Sequence, residues 1–236
     1  MPVTPRLARA VAAAAGFLAL LAILAGPTLA QKHGGTLRVS NQANPSSLSI
    51  HEEASITVVQ SIMAVFNNLV MFDPLQAVNA PNTIIPELAE SWSWDETGLK
   101  LTFKLRTGVK WHDGKPFSAR DVVFTFELLK KFPALDRHGV WTFLSSVEQV
   151  DARTVDFHFP RVFIPGFDEI AAQQIVPEHV WKDVHDPVTY PNEHPVATGP
   201  FTEVTRFGDQ IYELGRNPHY WQKGKPAIRA LRFPAF

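Results

Sequence analysis

The 236-residue chain contains no cysteine. That excludes disulfides, thiolate-bound zinc, iron–sulfur clusters and a cysteine nucleophile together, and with them a lipidated N-terminal cysteine as membrane tether. Neither sign of charge dominates: 22 basic residues against 23 acidic ones give a formal charge of −1, whereas a dedicated nucleic-acid binder carries a basic surplus. Catalytic signatures are missing as well. The sequence has no glycine-rich phosphate loop, no nucleophile elbow and no zinc-binding helix with paired histidines. Glu52-Glu53 and Asp168-Glu169 are adjacent pairs, which point different ways on a helix or a strand and make no acid/base dyad. His179, His185 and His194 surround a proline-rich loop, where histidines are solvated rather than ligating. The residues therefore carry no catalytic centre, no metal site and no cofactor. What is abundant is apolar surface: 45% of the residues are hydrophobic, among them 17 phenylalanines and six tryptophans. That is enough for a core, and disorder is excluded.

The first 30 residues have a composition of their own. Arg6 and Arg9 are followed by 15 residues without a polar side chain, Val11 to Ala25. Gly26-Pro27 breaks that run, and Thr28 and Ala30 are small residues suited to a cleavage site. This is the layout of a secretory signal peptide over residues 1–30, cut after Ala30; the apolar run is too short to span a bilayer, which takes ~20 residues. Cleavage removes both arginines and no acid, leaving 206 residues with 20 basic and 23 acidic side chains, a formal charge of −3. Export without cysteine fits a periplasmic, soluble, unlipidated protein.

Periodicity then orders the chain. Thr36 to Ser40 alternates as a strand, and Asn41 to Ile50 reads as a loop. Ile56, Val59, Ile62, Met63, Phe66 and Leu69 recur at helical spacing, with Ser55 or Thr57 as cap. Pro74 to Pro86 is a connection. Ser91 to Trp94 and Leu99 to Arg106 flank Asp95-Glu96-Thr97-Gly98 as a hairpin, the second strand strictly alternating. Trp111 to Pro116 is a turn, and Ser118 with Asp121 opens a helix through Lys131 whose apolar stripe is Val122, Phe126 and Leu129. Thr154 to Phe159 is a strand. Pro177 starts a short helix ending near Val184, Phe201 to Phe207 and Gln210 to Arg216 form a hairpin, and Ala227 to Phe233 is a last strand. Trp92 and Trp94 share one face of a strand and read as structural, whereas Trp141 stands outside any periodic pattern and is the better candidate to face a ligand.

Two stretches carry a resemblance. Pro86 to Trp92, Leu101 to Arg106 and Val109 to Val122 (with Trp111-His112-Asp113-Gly114-Lys115-Pro116 at their centre), followed downstream by Thr198-Gly199-Pro200-Phe201 and Arg216 to Trp221, closely resemble the hallmarks of the bacterial extracellular solute-binding proteins of family 5. These are the oligopeptide-, dipeptide- and nickel-binding receptors of ABC importers. The resemblance implies an α/β, two-lobed fold like that of type II periplasmic binding proteins, closing on its ligand by a hinge. It divides the chain into residues 31–80 as the start of the first lobe, 81–190 as an inserted small α/β domain, and 191–236 as the return to the first lobe. The second lobe is expected to lie beyond the sequence, so that the chain is the N-terminal part of a receptor, truncated after the first lobe and the small domain. The function implied is capture of a small solute, a peptide first, in the periplasm and delivery to an ABC permease of the inner membrane, by a monomer that is not an enzyme and binds no nucleic acid. Cello-type oligosaccharides and nickel or a metal chelate are the alternatives within the family; an exported hydrolase or a non-functional fragment are the alternatives outside it. Carried over residue by residue, the ligand-contact candidates are Ala54, Ser55 and Ile56, where family members run extended backbone along a peptide, Trp141 in a cleft-facing stretch, and Thr198 and Gly199 at the domain crossing.

Overall fold

The computed structural model describes residues 33–40, 45–49, 55–208 and 211–234. The signal peptide expected over residues 1–30, Ala54 and the centre of the last hairpin turn lie outside them. Among the described residues no helix is long and apolar enough to cross a membrane.

Three sheets organise the described chain. The first takes its strands from both ends: β1 (Thr36–Arg38) runs parallel to β10 (Ala230–Pro234), which pairs antiparallel with β9 (Ile211–Arg216) and through it with β8 (Phe201–Gly208). Leu37 sits opposite Leu231, and Tyr212 stacks on Phe233 with ring centroids 5.5 Å apart. The second is a ribbon of β2 (Val70–Phe72) and β3 (Ile84–Pro86). Both strands fall in or beside a stretch whose prolines and asparagines read as a mere connection, and three residues are too few to show a period.

The third sheet is antiparallel, in the order β4 (Ala89–Trp94), β5 (Lys100–Leu105), β7 (Thr154–His158), β6 (Ser146–Asp151). Its alternation is the one expected for β5. Leu101, Phe103, Leu105, Val155 and Phe157 are buried on one face. The other face carries a polar ladder in which the Thr102 hydroxyl donates to Asp156 (2.6 Å), Lys104 Nζ donates to Thr154 (2.8 Å) and Lys100 pairs with Asp156 (3.3 Å). Cross-strand pairs of this kind stabilise a sheet, and here they give the buried Thr154 and Asp156 their partners. β6 has no clean period in sequence because the register shifts between Gln149 and Asp151, leaving Val150 exposed while Val147 is buried.

Helix α2 (Ala119–Lys131) lies on the apolar face of that sheet. Val122, Phe126 and Leu129 are fully buried, and Phe126 meets Phe157 edge-on at 4.8 Å. Its start is fixed as the sequence implied. Asp121 Oδ2 accepts the Ser118 N–H at 2.9 Å, and Oδ1 accepts the Glu178 N–H at 3.1 Å. One carboxylate thus caps α2 and holds α4 (Glu178–Trp181), the short helix that Pro177 precedes. Trp111 is buried beside it, edge-on to Phe117 at 5.8 Å.

Helix α1 (Ile56–Ile62) is half as long as its apolar spacing promises. The carbonyls of Ala64 and Val65 leave the helical ladder because Phe201 N–H and Gly199 N–H take them, at 3.1 and 2.8 Å. Tertiary hydrogen bonds outweigh local propensity here. Helix α3 (Gly166–Ala171) completes the set; its first residue is glycine because a Cβ there would stand 2.8 Å from the Phe143 ring. Replacing Asp121 by alanine should cost about 2 kcal/mol, since it removes two carboxylate bonds from part-buried backbone N–H groups. Urea unfolding of the variant checks this, and an unchanged midpoint would show that the cap holds nothing.

Candidate functional site

The residues singled out from sequence fall in three places. Ser55 is the N-cap of α1, its hydroxyl accepting the Val58 N–H at 3.4 Å, and Ile56 follows it, 69% exposed. Ala54 lies outside the described residues. Trp141 is half-buried against α2; its indole N–H donates to the Phe126 carbonyl at 2.7 Å, and Lys130 Nζ sits 4.2 Å from its ring centre. Thr198 and Gly199 are at the far end of α1, in a buried junction, Thr198 being 1% exposed. The five described residues of the six chosen as one site are thus spread over the start of α1, its end, and the flank of α2.

The junction has a geometry of its own. Besides bonding Val65, Gly199 offers its carbonyl to the Asn217 side-chain amide (2.9 Å), while the Asn217 N–H donates to the Pro200 carbonyl (2.9 Å) and its Oδ1 accepts the His219 N–H (2.8 Å). A Cβ on Gly199 would lie 2.3 Å from the Val65 carbonyl oxygen. Only glycine lets the two backbones approach this closely.

Beside it sits Glu87. Its carboxylate accepts from the Asn67 side chain and from the Asn68 N–H (2.9 Å). Arg106 donates to the Glu87 carbonyl and lies 4.5 Å from the Trp221 ring centre. Burial pushes the Glu87 pKa up to about 7, against the pull of the Asn68 and Asn67 hydrogen bonds and the Arg106 charge. Burial, helped by that carboxylate, likewise pushes Tyr220 up to about 12. The two hallmark stretches of the sequence therefore meet in a single knot.

Of the three tempting histidines, His179 is committed to Asp113, Nε2 to Oδ2 at 2.8 Å. Partial burial works against ionisation of Asp113, but the Lys115 N–H and His179 outweigh it and hold the carboxyl below its usual range. Among the described residues no three histidine or carboxylate side chains gather as metal ligands do.

Open surface lies elsewhere. Two adjoining grooves share Ile84 and Asp168. The larger, about 430 Å³, runs between Trp92 and Trp94 on β4 and the Ile164-Pro165-Phe167 corner that leads into α3. The smaller, about 180 Å³, continues over β2 past Val70, Met71 and Phe72 to Ala171. Trp92 and Phe167 are 5.8 Å apart, Trp94 and Phe159 5.0 Å. None of the five described sequence candidates lines either groove. Two tryptophans at i and i+2 read as structural, yet β4 is an edge strand, so part of their ring surface stays uncovered. Asp168 and Glu169 do point different ways: Glu169 pairs with His138 at 3.0 Å, while Asp168 lines both grooves.

This α/β arrangement is that of the type II periplasmic binding proteins. It superposes on the crystal structure of the substrate-binding protein CtaP from Listeria monocytogenes with a TM-score of 0.74 at 29% identity, over 87% of this chain and 41% of that one. The mannohexaose-bound periplasmic oligopeptide-binding protein of Thermotoga maritima matches with a TM-score of 0.75 at 26% identity, over 89% of this chain and 39% of that one. The profile of the bacterial extracellular solute-binding proteins, family 5 middle region, matches residues 83–236, and the chain belongs to this family. Di/tripeptide-binding protein 2 of Pseudomonas aeruginosa is 30% identical over 91% of this chain and 43% of its own length. The chain thus spans about two-fifths of the relatives it matches.

Two expectations follow from the knot. Gly199→Ala forces backbone against backbone and should lose about 3 kcal/mol, read from the urea midpoint; a loss no larger than that of an exposed substitution would refute the close approach. Glu87 binds its proton more tightly folded than unfolded. It therefore stabilises the fold in full below the unfolded value of 4.5, and the contribution is lost as pH rises through about 7. Thermal unfolding followed between about pH 5 and about pH 8 should fall less steeply in Glu87→Gln than in the parent. Parallel curves would exclude Glu87 as the group.

Proposed function

We propose that the chain is the substrate-binding component of an ABC-type importer, which captures a peptide in the periplasm and hands it to a permease in the inner membrane. In this reading it is exported by residues 1–30, remains soluble and unlipidated, acts as a monomer and catalyses nothing. The carrying observation is the 30% identity to a di/tripeptide-binding protein across 91% of this chain, which runs through both halves of the knot. The clustering of β1 with β8, β9 and β10 supports treating residues 31–80 and 191–236 as one lobe around an inserted domain over 81–190, with the β2–β3 ribbon straddling the first boundary. The aromatic grooves support capture rather than bond making, since apolar walls with few polar groups select by shape. Capture of an oligosaccharide is the second reading. It is favoured by the mannohexaose bound to the Thermotoga maritima protein. A strain lacking the gene should lose uptake of radiolabelled di- and tripeptides while keeping uptake of mannohexaose. The opposite pattern establishes the sugar reading, and unchanged uptake of both overturns import.

A further inference from the structure

Asp168 is an exposed carboxylate on α3, and among the described residues it has neither an ion pair nor a side-chain hydrogen bond. It is the one ionisable side chain lining either groove, and it lines both. Its companion in the sequence, Glu169, is spent on His138. The remaining walls are apolar or aromatic apart from Asn68. An occupant that buried only hydrocarbon here would strip water from a carboxylate and return nothing to it, a cost that unpaired charges do not recover. An oligosaccharide would need an array of donors and acceptors that these walls lack. A cation on an apolar stem meets both demands. The stem lies against Ile84 and Ile164, the charge reaches Asp168, and the indole faces of Trp92 and Trp94 attract the same charge.

We propose that the joined grooves are a subsite for a cationic side chain, arginine or lysine, borne by a bound peptide, with Asp168 as its counter-ion. This rests on the peptide reading given above and narrows it to peptides with a basic residue. A guanidinium suits the site best, being planar, weakly hydrated and able both to stack on an indole and to bond a carboxylate through two N–H groups.

The test uses the full chain and three probes: acetyl-Leu-Arg-amide, its uncharged citrulline analogue, and Leu-Leu, whose only cation is the amino terminus. Affinities are read by calorimetry, and contact is read from the indole N–H signals of the six tryptophans, assigned with Trp→Phe variants. The arginine probe should bind roughly tenfold more tightly than the citrulline probe and should shift the Trp92 and Trp94 signals. Asp168→Asn should erase that preference. Glu169→Gln, which removes the same charge one residue away, should leave it intact. Equal affinity of the two acetylated probes, a preference that survives Asp168→Asn, or shifts confined to other tryptophans overturns the subsite. Leu-Leu binding that depends on Asp168 overturns the side-chain assignment in favour of the peptide amino terminus. If Leu-Leu binds independently of Asp168 and arginine brings no advantage, the subsite fails while peptide capture stands. If no probe binds, both fall.

Discussion

The constraint on which this structure depends is the contact between two backbones, Gly199 lying against the carbonyls of Ala64 and Val65. Those carbonyls can serve Gly199 and Phe201 only by abandoning the helix, so α1 stops early. The chain that emerges carries Asn67 and Asn68 to Glu87, which in turn sets the corner between β3 and β4. Asn217 then binds Gly199 and Pro200 from the other side, which fixes the exit from β9. Remove the glycine and each of these positions must shift, because every one of them is specified relative to the same peptide units.

Two buried carboxylates, one in the knot and one under α2, keep their partners. Glu87 keeps two donors although burial disfavours its charge, and Asp121 keeps two backbone N–H groups from separate elements. Buried carboxylates of this sort contribute specificity of arrangement more than net stability, since the same volume filled with apolar groups would not distinguish one register from another. The grooves are different. Their walls are the uncovered margin of an edge strand and the proline-bounded corner before α3, and the carboxylate they expose is unpaired. The paired carboxylates Glu87 and Asp121 hold elements together, whereas Asp168 at the groove holds none.

Much of the architecture is legible in the sequence. The β4–β5 hairpin, α2 with its Ser118–Asp121 start, β7 and the β8–β9 hairpin appear as periodic stretches because each buries one face against a single layer. The β2–β3 ribbon, β6 and α3 do not, since three-residue strands, a register shift and a six-residue helix carry no measurable period. The site is less legible than the fold. Thr198 and Gly199 belong to a stretch that resembles a family hallmark, and in this structure that stretch is a buried junction. Trp92 and Trp94 alternate as core residues do, and only the order of strands in the sheet reveals that β4 is an edge. Asp168 carries no signal beyond being charged, because its isolation depends on which way Glu169 turns.

The parallel pairing of β1 with β10 has a consequence for how the molecule is made. β1 and its hydrogen-bonding partner β10 are the first and the last strand described, so closing that sheet must bring together the most distant segments of the described chain. Local hairpins such as β4–β5 and β8–β9 can form in microseconds, but the long loop closed by β1 and β10 carries an entropy cost that no local contact offsets. Without residues 230–234, β1 has neither of its edges paired and is open to the wrong partner. The first sheet therefore cannot close until residues 230–234 are available, and it closes later than the hairpins it joins.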